Sequence, residues 1–195
     1  MKASFFKRFF AYMIDTMFLS IIINLIAFAL PLEGYNKANE NYNELADKYL
    51  TQEISQEEYM DSSIEYVYKI QDTGIVLNAM LLVLNIGYFI IFQYLNKGQT
   101  LGKKLLKIKV TQNGKEPSIR AMILRTFVVN SIFSGLFCIL LLFILNKDTY
   151  FYGYYAIAII EMIFVFLTAL FILYRKDKMG LNDLIAKTEV IEERG

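Results

Sequence analysis

The chain has 195 residues, with 20 Lys+Arg against 19 Asp+Glu for a net charge of +1, and 56% of it is apolar, giving a mean hydropathy of +0.39. The apolar residues gather in long runs, which points to a protein partnered by a lipid bilayer rather than a soluble domain. A single cysteine, Cys138, excludes a disulfide scaffold; the lack of histidine excludes His-based zinc, haem and triad chemistry; the near-zero net charge argues against a nucleic-acid partner.

Four runs offer the roughly 20 apolar residues that a bilayer crossing needs. They are Phe9–Leu30, Gly74–Leu95, Ala121–Leu145 and Tyr150–Tyr174. Stretches such as Ile132–Leu145 have no polar face to turn to water. The expected fold class is therefore all-α integral membrane, with four transmembrane helices. The first run also has the outline of a signal peptide, with Lys2, Lys7 and Arg8 ahead of it and Ala27-Phe28-Ala29 as a small-x-small site. Asp15 inside the run favours a retained helix instead. Sixteen Lys and Arg fall on the termini and the middle segment (Arg125 included), and four on the two other connections. That asymmetry puts both termini in the cytoplasm, in a multi-pass arrangement.

Between the first two runs, Pro31–Thr73 carries ten carboxylates and three lysines. Tyr42, Leu45 and Tyr49 share one helical face, Ser55 with Glu58 has a capping-box pattern, and Met60, Ile64 and Val67 extend an apolar stripe. A helical external insertion over residues 33–73 is expected, lying across the bundle. In the middle segment, Leu106, Ile108 and Val110 alternate with Lys107 and Lys109, a strand period, and Asn113-Gly114 reads as a turn. Ala186–Glu192 is also strand-like. The two are expected to pair into a small cytoplasmic β-hairpin or sheet, with lysines of one strand facing glutamates of the other.

Ionisable groups inside a membrane are costly, so each is a functional candidate. Asp15 lies about two turns into the first helix, and Glu161 near the middle of the last. Arg8 and Arg125 are candidate cations for Asp15. Glu161 has no partner at its depth, which makes it the better proton-binding carboxyl. Asn78 and Asn85, seven residues apart, share a face of the second helix; Tyr154 and Thr168 flank Glu161 at the same spacing. These groups line either a polar cavity or an interhelical hydrogen-bonded seam. Ser131, Ser134, Gly135 and Cys138 form a small-residue packing face. Gly98-x-x-x-Gly102-Lys103 lacks the spacing of a phosphate loop. No nucleophile–base pair is recognisable, so the chain is not expected to be an enzyme or to need a cofactor or metal.

Three blocks carry a family resemblance. They are Arg8-Phe9-Phe10-Ala11-Tyr12-Met13-Ile14-Asp15, the segment from Gly98-Gln99-Thr100-Leu101-Gly102-Lys103 to Val110, and Lys178-Met179-Gly180-Leu181-Asn182-Asp183-Leu184-Ile185-Ala186-Lys187-Thr188. In this order they resemble the RDD family of bacterial membrane proteins, named for one Arg and two Asp. Arg8, Asp15 and Asp183 match those positions. Asn182 stands where a His is common, the Glu33–Asp72 stretch is not a family feature, and Glu161 lies outside the family pattern. The resemblance implies one membrane domain over residues 1–195, in the bacterial cytoplasmic membrane. It also implies transport, with cation/proton exchange in some members, or a regulatory role.

Two functions follow as expectations. One is a small transporter exchanging protons for cations through Asp15, Glu161 and the Asn78–Asn85 face. Four helices leave little room for a path in one chain, so this version implies a homodimer. The other is a non-enzymatic regulator, immunity or assembly protein that binds a protein partner through the acidic external loop. In that version Arg8 pairs with Asp183 and Asp15 with Arg125.

Overall fold

The computed structural model describes residues 1–127 and 129–193. Helix α1 (Phe5–Ala29) begins at Ser4, whose hydroxyl accepts from the Lys7 N–H at 3.4 Å. Residues 31–73 fold into a helical hairpin, α2 (Glu33–Leu50) and α3 (Gln56–Thr73). Ser55 caps α3, its hydroxyl accepting from the Glu58 N–H at 3.2 Å. The hairpin lies against the bundle through α3, where Tyr68 meets the buried Tyr150 ring edge-on with centroids 5.5 Å apart. The expected helical insertion is therefore present.

Helix α4 (Ile75–Leu95) follows directly. Its Ile86–Phe92 stretch is π-helical. The wider turn brings Tyr88, Phe89 and Ile90 all into the core. A short helix α5 (Leu101–Leu105) and strand β1 (Ile108–Thr111) come next. Asn113 and Gly114 both have positive φ, and Gln112 bridges to Lys115, so the expected turn forms.

The third apolar run departs from expectation. In place of one continuous helix over Ala121–Leu145, α6 (Ile119–Thr126) and α7 (Ile132–Ile144) are separated by a break ending at Ser131, which is left-handed at φ 55°. The helical bonding pattern gives way here: the Thr126 hydroxyl donates to the Met122 carbonyl at 2.7 Å, and the backbone Phe133 N–H reaches back to the Phe127 carbonyl at 2.8 Å. At 13 residues, α7 spans only about 20 Å at ~1.5 Å per residue. Helix α8 (Lys147–Tyr174) returns along it, followed by α9 (Leu181–Ala186) and β2 (Glu189–Glu192). Among the described residues, three helices are long and apolar enough to cross a membrane: α1, α4 and α8.

The two strands pair antiparallel, with Val110 opposite Val190 and Lys109 opposite Ile191. Between the two strands the charge contact is diagonal rather than direct, Lys109 reaching Glu193 at 3.5 Å; the β2 glutamates are paired instead by the start of the chain, Lys7 of α1 reaching Glu192 at 2.8 Å and Lys2 pairing with Glu189. The first residues of the chain extend the sheet on the free edge of β2, where the Ala3 N–H donates to the Val190 carbonyl and the Glu192 N–H to the Met1 carbonyl, each at 2.9 Å. The main core sits where sheet meets bundle. Ile108, Val110 and Val190 pack there with Ala11, Ile90, Met122 and Ile132. This sheet end of the molecule holds the motif residues.

Candidate functional site

Two buried carboxylates organise the sheet end. Asp15, fully buried on α1, accepts three hydrogen bonds: from the Tyr88 hydroxyl at 2.6 Å, the Thr100 hydroxyl at 2.5 Å and the Gly102 N–H at 2.7 Å. The Leu101 N–H donates to the Tyr88 oxygen at 3.0 Å. Asp15 thereby docks the start of α5 against α1. The approach is close enough that a Cβ at Gly102 would collide with the Ala11 carbonyl oxygen, which explains the glycine.

Asp183, also fully buried, joins α1, α6 and α9. Its Oδ2 accepts from Arg8 Nη1 at 2.7 Å and from the Gly180 N–H at 3.1 Å. Its Oδ1 pairs with Arg125 Nη1 and accepts from the Thr188 hydroxyl at 3.3 Å. Arg8 also donates through Nε to the Ala3 carbonyl at 3.3 Å. The expected Arg8–Asp183 pair is thus present. The expected Asp15–Arg125 pair is not. Arg125 turns to Asp183 because α6 packs on α9, while the hydroxyls and N–H around Asp15 already occupy its oxygens.

Beside these carboxylates lies a cavity of about 380 Å³ between α1, α4, α6 and α8. Arg8, Lys103 and Arg125 line its sheet end, and Glu161 its other end. Burial pushes the Lys103 ammonium down, to about 8, against the opposing pull of Asp15. Glu161 Oε1 accepts from the Ser131 hydroxyl at 2.7 Å. The helix break is what turns Ser131 onto Glu161. A second cavity of 190 Å³ opens on the other side, lined by Ser134, Gly135, Cys138, Tyr154 and Glu161. Glu161 is a wall of both.

Not every candidate joins this site. Asn78 donates to Gln71 Oε1 at 3.0 Å and Asn85 to the Leu81 carbonyl at 3.0 Å, and neither lines a cavity that reaches Glu161. Asn85 bonds within its own helix and Asn78 to the end of α3, so of the expected polar set only Tyr154 and Thr168 on α8 join Glu161 at the cavities, and α4 contributes Gln93 instead. Sequence reasoning left out Tyr88, Gln93 and Lys103 as site residues. Tyr88 and Gln93 leave no signal in a run that is apolar almost throughout, whereas Thr100, Gly102 and Lys103 sit inside the middle motif block.

Long apolar helices tied together by buried charge at one end define an integral membrane protein. The RDD family model matches residues 2–187. The chain belongs to the RDD family, and Arg8, Asp15 and Asp183, the positions that resemble the family's one Arg and two Asp, build the two carboxylate hubs. No curated protein and no solved structure matches the chain.

Proposed function

We propose that this RDD-family protein is a small membrane transporter in which Glu161 exchanges a proton for a cation. The observation that carries the reading is the position of Glu161: beside a broken helix, and on the wall of two cavities. Irregular backbone at membrane depth is tolerated where it is buried or lines a water-filled cavity, and discontinuous helices form the ion sites of many transporters. A carboxyl reached from two sides has the access that exchange requires. Asp15 drops out of the coupling role, since its oxygens are taken by three structural bonds. In this reading α6, the break and α7 complete the fourth crossing. The sheet and both termini face the bacterial cytoplasm, in keeping with the Lys/Arg asymmetry, and a homodimer supplies the remaining walls of the path.

The test is flux. The full chain in liposomes with an internal pH dye is given sodium, potassium or lithium gradients. Cation-dependent proton movement supports the reading; its absence with insertion verified contradicts it. The reading as a partner-binding regulator draws on a different observation. The α2–α3 hairpin is folded, and Tyr42, Tyr59 and Met60 line a 260 Å³ hollow with Phe151 and Tyr155 of α8. Removing residues 36–71 would abolish function under that reading and leave flux intact under the first.

A further inference from the structure

The sheet end of the larger cavity contains groups that the proton-exchange reading does not use. Four buried polar atoms on its lining residues have no partner in the protein: Arg8 Nη2, Gln93 Oε1, Thr168 Oγ1 and Asn182 Oδ1. The Arg8 side chain is 9% exposed, and Gln93 is fully buried. A buried polar atom without a partner is costly, and several around one cavity mark a missing ligand or ordered water.

Their chemistry is mixed. Arg8 Nη2 is a donor; the two amide oxygens are acceptors; the Thr168 hydroxyl is either. The Gln93 amide is held through Nε2, which donates to the Gly98 carbonyl at 3.1 Å, and its Oε1 is left without a partner in the protein. Charge adds a second constraint. Arg8, Lys103 and Arg125 meet two carboxylates, Asp15 and Asp183, at this end. Glu161 stands seven residues before Thr168 on α8, about 10 Å away at ~1.5 Å per residue. The local surplus is one positive charge. The rest of the wall is apolar, with Phe5, Phe9, Val165 and Ile172 among its residues, and Phe9 and Val165 are also exposed on the outer surface of α1 and α8. The cavity therefore joins a basic, hydroxyl-accepting floor to a greasy side opening.

We propose that this cavity binds the phosphate of an anionic glycerophospholipid whose headgroup carries free hydroxyls, as in phosphatidylglycerol. The phosphate oxygens take the Arg8, Lys103 and Thr168 donors, the headgroup hydroxyls donate to the Gln93 and Asn182 oxygens, and the acyl chains leave along Phe9 and Val165. Basic pockets between membrane helices hold anionic headgroups in this way. The site shares a cavity with Glu161 but does not depend on flux: a protein that moves no cation would still bind the lipid.

The experiment follows unfolding of the full chain in neutral detergent with a thiol-reactive dye reporting on Cys138, its single cysteine. Phosphatidylglycerol, phosphatidylethanolamine, phosphatidylcholine and inorganic phosphate are titrated separately, and native mass spectrometry counts bound lipid. Phosphatidylglycerol alone should raise the Tm and stay bound. Thr168→Val and Lys103→Gln should each weaken that binding about tenfold, the loss of roughly one hydrogen bond to a charged group. Thr168→Val removes a hydroxyl that bonds nothing in the protein, so its fold is retained. Equal stabilisation by all three lipids, or unchanged affinity in both variants, overturns the proposal. The same Tm shift with phosphate alone also overturns it, reassigning the floor to a soluble oxyanion.

Discussion

At Asp183 two guanidinium groups meet one carboxylate inside the protein. Removing the carboxylate leaves both cations buried and uncompensated, which costs about 3–5 kcal/mol. Asp183→Ala is therefore expected to lower the Tm and the folded yield sharply, as read by thermal unfolding in detergent. Arg8→Ala, which leaves the Arg125 pair in place, should cost less. Equal melting of Asp183→Ala and the unaltered chain would contradict the hub assignment. At Gly102 the constraint is space rather than charge. A methyl group there meets the Ala11 carbonyl oxygen and an Asp15 oxygen, so Gly102→Ala should cost about 1–3 kcal/mol by overpacking, seen in the same assay. Arg8–Asp183 was legible in the sequence because both residues stand in motif blocks. Arg125 is legible as a buried cation, but the sequence points it to Asp15, whereas it pairs with Asp183. Pairing depends on which helix packs on α6, and spacing along the chain does not carry that.

Among the elements, α1, α4 and α8 were readable as apolar runs, and the hairpin over residues 33–73 from its stripes and its Ser55 cap. The sheet was readable from alternation and from Asn113-Gly114. The break between α6 and α7 and the π-helical stretch of α4 were not. Both lie in segments so apolar that periodicity has nothing to register, and the competing bonds come from single side chains, such as Thr126 to the Met122 carbonyl. The π stretch places the Tyr88 hydroxyl on Asp15 and under the Leu101 N–H. Tyr88→Phe strands the Leu101 N–H and removes one of the three donors to Asp15, and is expected to cost about 1–3 kcal/mol, measured as a lower Tm. A substitution without effect would show that the widened turn is not what fastens α5 to α1.

Across the whole molecule, buried charge is concentrated at the sheet end, and its burial links stability to pH. Lys103 titrates at about 8 in the folded chain, against roughly 10.4 unfolded. The folded state holds this proton less tightly, so it is penalised while Lys103 is charged. Stability of the lipid-free protein should therefore rise as pH climbs from about 8 toward ~10.4, with the full penalty present below that window. Lys103→Gln should flatten this rise in a series of melting curves. Family membership and the motif positions were legible at this scale; the cavities were not, since they exist only where distant segments fail to touch. The proposed function divides labour between two carboxyls, with Asp15 holding the fold and Glu161 carrying the proton. Cation-driven proton flux in liposomes, expressed per folded and inserted molecule, tests it with Asp15→Asn beside Glu161→Gln. The expected result is a low folded yield but retained flux for Asp15→Asn, and a normal yield with abolished flux for Glu161→Gln. Normal flux in the Glu161→Gln protein would contradict the account.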